Sequence, residues 1–236
     1  MACRTLFAAG MIPVEVLLDD FKLAAMNKKE KDELNRRDPN FNHADGWGIL
    51  IRISGNFEHY KKEVACWEDP KFADYYNCQA DLVLLHARRA FSFTPINYEF
   101  TQPFIRDGWC FCHNGTIKDL ISEQKSDSEQ FFSLILDQIL QYDDVIEAIR
   151  KTVNKIENYT ALNFILCNKD KAFVLIKYQK YPKYYTMKYL QSQDYVIISS
   201  EILQNFKGGW KQTSNNTLLK LDFRTRNIPL LTECED

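Results

Sequence analysis

No stretch of this chain stays apolar long enough to span a bilayer. The longest such run, near Leu6 to Val14, is broken by Gly10 and Pro13 and falls far short of the roughly 20 residues a spanning helix needs. It also lacks a charged lead-in and a following cleavage site, which argues against a secretory leader. There is no surplus of either charge: 30 Lys and Arg against 32 Asp and Glu leave a formal −2. That removes the global electrostatic case for nucleic acid or an anionic membrane as partner. Paired Cys-x-x-Cys spacings are missing, and seven cysteines are an odd number without a disulfide framework. Reduced thiols and a cytoplasmic setting are the expectation. Internal repeats, low-complexity tracts and interdomain linkers are also absent, so residues 1–236 are expected to form a single domain.

What is present is an ordinary globular composition, 45% hydrophobic and 26% charged, in a chain long enough to bury a sizeable core. The 12 Tyr and 16 Phe are spread along strand-like stretches, where core and rim packing account for them. Arg4 to Ala9 suits a central strand with Cys3 at its lip. Pro13 opens a helical pattern to about Met26, and Lys28 to Asn40 is a charge-dense loop. Gly48 to Ile53 and Phe57 to Lys62 flank a hairpin turn at Ser54-Gly55-Asn56. Asp69 to Tyr76 is short helix, Asp81 to His86 a covered strand, and Ser92 to Phe104 a loop.

Ser126 and Glu129 form a capping box for a helix to about Leu140, in which Phe131, Phe132, Ile135 and Ile139 share a core-facing side. A second helix is expected from Asp143 to Ile156. Strands are expected at Ala161 to Cys167, Ala172 to Tyr178, Tyr184 to Tyr189, Tyr195 to Ser199 and Thr217 to Asp222.

The stretch with most chemistry is Cys110-Phe111-Cys112-His113-Asn114-Gly115-Thr116-Ile117. It reads as a strand that stops at Asn114-Gly115, a pair favouring positive-φ turn geometry. An Asn amide and a backbone N–H there are the donors a developing oxyanion requires. Other segments accompany it: Cys3 near the N-terminus, His43-Ala44-Asp45-Gly46-Trp47-Gly48 before a strand, Leu85-His86-Ala87-Arg88-Arg89 ending one, and Ser126-Asp127-Ser128-Glu129 opening a helix. In this order the set resembles the class II glutamine amidotransferases of the N-terminal-nucleophile hydrolase type, and most closely their stand-alone glutaminase domains. The resemblance covers most of the chain to about residue 200.

That resemblance implies an α+β fold, a four-layer α/β/β/α sandwich of two antiparallel sheets. It implies Cys3 as a nucleophile that forms a γ-glutamyl thioester, with its own α-amine as base, so a chain with only four histidines needs none for catalysis. It casts Asn114 and Gly115 as the oxyanion pair, Arg88 as the fork on the α-carboxylate of glutamine, and Asp127 as partner of the α-amino group. Without the other motifs, Asp127 reads equally as a first-turn acid favoured by the helix dipole. His86 and His113 orient loops, and Asp45, Gly46, Trp47 and Gly48 form a wall of the substrate pocket, with the glycines allowing close approach. Arg89 and Thr94 are further candidates for the carboxylate. No cofactor or metal is expected; the partners are glutamine or another γ-glutamyl small molecule, with a separate synthetase subunit as a candidate recipient of the ammonia.

In the family, Cys directly follows the initiator Met. Here the chain begins Met1-Ala2-Cys3, and an amide nitrogen on Cys3 has no useful basicity, so the amine-as-base mechanism requires removal of Ala2 unless another base serves. The competing expectation is a catalytically inactive member that binds ligand or regulates. A third, metal or redox binding through Cys110, Cys112 and His113, lacks the usual zinc spacing.

Overall fold

A computed structural model describes residues 3–28, 33–34, 38, 40–90, 95–122, 125–223 and 231–234. In chain order it contains β1 (Arg4–Gly10), α1 (Val14–Ala25), β2 (Trp47–Ile53), β3 (Asn56–Lys62), a 3₁₀ segment (Pro70–Tyr75), β4 (Leu82–Ala87), β5 (Phe104–Arg106) and β6 (Trp109–Ile117). A second 3₁₀ turn (Lys118–Leu120) leads to α2 (Asp127–Ile139), α3 (Val145–Val153), β7 (Tyr159–Cys167) and β8 (Lys171–Ile176). The remainder is α4 (Pro182–Tyr185), β9 (Lys188–Gln191), β10 (Tyr195–Ser199), β11 (Lys211–Gln212), β12 (Thr217–Asp222) and β13 (Leu231–Glu233).

The strands form two antiparallel sheets, ordered β11-β9-β10-β1-β4-β2-β3 and β13-β12-β8-β7-β6-β5. Side chains alternate across a strand, and both faces of each sheet are apolar here. Phe7, Leu50 and Leu84 of the first sheet meet Cys112, Ile165, Val174 and Leu221 of the second, and this is the core between the sheets. On the outer face of the first sheet, Leu17, Leu18 and Phe21 of α1 cover Leu6, Ile49 and Leu85. On the outer face of the second, Phe131, Phe132 and Ile135 of α2 and Ile149 of α3 cover Phe111, Phe164 and Phe173. The result is the expected α/β/β/α order, with β1 buried along its length.

Local chemistry explains the boundaries. Pro13 precedes α1, and the Ser126 hydroxyl accepts from the Glu129 N–H at 3.0 Å to cap α2, as the capping pattern requires. Ser54 and Gly55 both take positive φ, +50° and +81°, which is the two-residue hairpin geometry between β2 and β3.

Two expectations are corrected. β6 does not stop at Asn114-Gly115 but runs through it to Ile117, paired with β7, with a register shift between Gly115 and Ile117. The turn is instead Asp107-Gly108, φ +51° and +76°, joining β5 to β6. The segment Tyr184 to Tyr189 is not one strand: Pro182, with its φ set for a first helical position, opens α4, and the strand begins only at Lys188. Part of the Lys28 to Asn40 loop lies outside the described residues.

Candidate active site

The alternation that builds the inter-sheet core also builds a polar end to it. On β4 the inward set is Leu82, Leu84 and His86, continued by Arg88 just past the strand; on β1 it is Phe7 and Thr5, continued by Cys3. Facing them on β6, the inward set Cys110 and Cys112 ends at Asn114. Cys3 is fully buried where the two sheets meet. Its N–H donates to Asn114 Oδ1 at 2.8 Å, and its carbonyl accepts from the Tyr184 hydroxyl at 2.8 Å. With Oδ1 held this way, the Asn114 amide keeps Nδ2 as its donor end. Burial pushes the Cys3 thiol up; the Arg89 backbone N–H and the Arg88 guanidinium pull it down, and the Asp127 carboxylate opposes them.

Arg88 is wholly buried. Its Nη2 donates to Pro95 O at 2.9 Å and its guanidinium lies 5.8 Å from the Phe100 ring centre, but Nε and Nη1 have no hydrogen-bond partner among the described residues. Burial lowers its pKa against the support of Cys3, Asp45 and Asp127. A buried guanidinium edge without an acceptor is costly, and a carboxylate is the planar acceptor that matches it.

Asp127 sits at the first position of α2, 6% exposed. The irregularity in β6 turns the Ile117 N–H towards it, and Asp127 Oδ2 accepts that hydrogen at 2.8 Å; Oδ1 accepts from the Ser128 N–H at 2.9 Å. The anion is therefore pinned beside the thiol and Arg88, with lone pairs to spare. Gly115 is required for the close packing of β6 on β7: a Cβ there would collide with the Ala161 carbonyl and crowd His113 Nε2. Its backbone is ordinary extended strand.

The remaining candidates divide. Asp45 Oδ2 accepts from the Ala90 N–H at 2.8 Å and lies 3.8 Å from Arg89 Nη1, while the Asp45 N–H bonds the Arg88 carbonyl. It braces the segment that carries Arg88. Gly46 (φ +138°) and Gly48 bring this segment against Thr101 and Gln102. Trp47 points the other way: its Nε1 donates to Asp69 Oδ2 at 3.0 Å and its ring packs with Tyr60 and Phe72 on the outer face of the first sheet. It supports the wall from behind and does not line the site. His86 is buried on the inner side and held neutral, its pKa lowered to about 3 by burial and then by Arg88. His113 faces α2, accepting from Ser128 Oγ at 2.9 Å and donating from Nε2 to Ala161 O at 3.1 Å. Cys110 and Cys112 point inward while His113 points outward, so these three cannot converge on one ion; among the described residues no His, Cys, Asp and Glu group is arranged for a metal. Thr94 lies outside the described residues.

Some supporting groups were not read from the sequence. Gln102 is buried and clamps His113, accepting from its N–H at 2.6 Å and donating to its carbonyl at 3.4 Å. Asn163, opposite Asn114 in β7, donates to the Tyr185 carbonyl at 2.6 Å. The signal that α4 exists to bring Tyr184 and Tyr185 here was Pro182.

A family model for class-II glutamine amidotransferases matches residues 33–218. The chain is similar in fold to the glutamine phosphoribosylpyrophosphate amidotransferase of B. subtilis, with TM-score 0.68 and 14% identity over 99% of this chain and 49% of that one. This chain thus spans about half the length of that enzyme. It is likewise similar to a glutamine aminotransferase class-II domain protein from Silicibacter pomeroyi, with TM-score 0.63, 15% identity and 99% and 100% coverage. A protein from Pseudomonas aeruginosa described as a predicted glutamine amidotransferase gives TM-score 0.51 at 14% identity, covering 93% of each chain. No curated protein sequence matches the chain.

Proposed function

The chain belongs to the class-II glutamine amidotransferases, and on that premise we propose that it hydrolyses the side-chain amide of glutamine or a related γ-glutamyl compound through Cys3. The observation that carries this reading is the bond from the Cys3 nitrogen to Asn114, which joins the nucleophile and oxyanion candidates across the two sheets. Arg88 receives the α-carboxylate on Nε and Nη1, and Asp127 receives the α-ammonium.

With Cys3 as the first residue, its α-amine takes the thiol proton as Sγ attacks the side-chain carbonyl. The new S–C bond gives a tetrahedral oxyanion held by Asn114 Nδ2 and the Gly115 N–H. The amine returns the proton to the leaving nitrogen, the C–N bond breaks, and ammonia or an amine departs. Water, deprotonated by the same amine, then cleaves the thioester to the acid and restores the thiol. The released ammonia passes to water or to a separate acceptor protein.

The test compares the chain beginning at Met1 with protein beginning at Cys3, following glutamate from glutamine. Turnover by the second form only, abolished by Cys3→Ala, is the expected result. Glutamine binding without turnover in the Cys3-initiated protein would replace this reading with an inactive ligand-binding member.

A further inference from the structure

Cys3 lies beyond the strand pairing of β1, so its carbonyl must find a partner elsewhere. It finds one 181 residues away in the buried Tyr184 hydroxyl, at 2.8 Å. The same hydroxyl is 3.0 Å from His43 Nε2, and His43 Nδ1 is 2.9 Å from the Ala25 carbonyl. A carbonyl only accepts, so Nδ1 carries the ring hydrogen. Burial keeps His43 neutral, aided by the Arg4 and Arg89 charges and by His86. Nε2 is then bare, and the single Tyr184 proton has two acceptors: the Cys3 carbonyl and His43 Nε2. The phenol ring is fixed by the Arg4 guanidinium 4.5 Å from its centre, and Arg4 is paired with buried Glu201.

We propose that Tyr184 and His43 are a positioning pair for the nucleophile, sharing one proton between the Cys3 carbonyl and the imidazole and so setting both the place and the basicity of the Cys3 α-nitrogen. This rests on the reading of Cys3 as an amine-assisted nucleophile. Hydrogen bonding to the carbonyl withdraws electron density from the adjacent carbon and makes the amine less basic; losing that bond makes it more basic. The charged groups facing Cys3 itself, Arg88 and Asp127, are the same in every variant below, so they cancel.

The experiment uses protein beginning at Cys3 and measures kcat and kcat/KM for glutamine against pH. Tyr184→Phe should lower kcat at pH 7 about tenfold, leave KM unchanged, and move the acid limb of kcat/KM to higher pH. His43→Asn keeps a donor for Ala25 but removes the competing acceptor, so its acid limb should move to lower pH. An unmoved limb in Tyr184→Phe, or shifts of the same sign in both variants, overturns the proposal. Should Tyr184→Phe fail to fold by circular dichroism, His43→Asn decides alone, and an unmoved limb overturns it. If the unsubstituted protein does not turn over glutamine, the proposed function has failed. The pair is then read from the pH dependence of Cys3 alkylation by iodoacetamide: opposite shifts support it and coincident profiles overturn it.

Discussion

Arg88 shows how a single residue departs from what stability alone would select. Two of its guanidinium nitrogens are buried without acceptors among the described residues, an arrangement that a folded chain tolerates only where something else is gained. The gain is a preorganised fork, since Nη2 and the aromatic face of Phe100 already hold the plane in place. Lysine offers a point charge and no fork. Arg88→Lys should raise KM for glutamine about ten- to hundredfold, equivalent to about 1.4–2.7 kcal/mol, with a much smaller change in kcat. Steady-state kinetics on protein beginning at Cys3 checks it, and an unchanged KM would remove Arg88 from substrate binding. Asp127 is a different case: two backbone N–H groups already satisfy part of its carboxylate, so its helix-terminal role and its place beside the site coexist.

At the scale of elements, the informative comparison is between two dipeptides. Asp107-Gly108 and Asn114-Gly115 carry the same turn signal, yet only the first turns the chain. β5 is a three-residue edge strand and must reverse into β6, whereas β6 at Asn114-Gly115 lies against β7 and gains ladder bonds with it by continuing. Tertiary pairing overrides local preference there, and no reading of that dipeptide alone could have shown it. Gly115 is needed for a reason unrelated to turning: the Ala161 carbonyl occupies the space of its missing side chain. Gly115→Ala should therefore force β6 and β7 apart and lower the urea midpoint, with glutamine turnover falling further than stability; wild-type values for both would show that the strands accommodate a methyl.

The elements with strong periodicity were legible from sequence: β1, α1, the hairpin of β2 and β3, β4, and α2 with its Ser126 cap. So was the ordered set Cys3, Arg88, Asn114 and Asp127, which the fold brings to one end of the inter-sheet core. What was illegible depends on contacts between distant segments. The outward turn of Trp47 follows from which face of β2 meets α1, and the arrival of Tyr184 at Cys3 follows from α4 packing across the sheet end. The facing of Trp47 leaves no local trace, and Pro182 marks the start of α4 without marking where it packs.

Across the whole molecule, burial of ionisable groups in the neutral form sets how stability responds to pH. All four histidines have lowered pKa values, chiefly through burial, with His86 at about 3 and His43, His113 and His59 also below their usual 6.5. Below pH 6.5 the unfolded chain takes up protons that the folded chain refuses, so stability rises with pH in that range and falls as acid is added, down to about pH 3 for His86. Each fully buried histidine contributes at most about 1.4 kcal/mol per pH unit in this window. The alkaline side has the opposite cause. Cys110 and Cys112 are buried thiols raised well above their ordinary 9.0, so above pH 9 the unfolded chain loses protons that the folded one keeps, and stability declines again. Urea unfolding at pH 4.5, 5.5, 7.5 and 10 should therefore show a plateau between about 6.5 and 9, with a steep acid limb and a separate alkaline one. His86→Gln flattens the acid limb alone, because it removes a group that titrates in the unfolded chain and leaves the thiols untouched. An acid limb of unchanged slope in that variant would transfer the effect to the carboxylates.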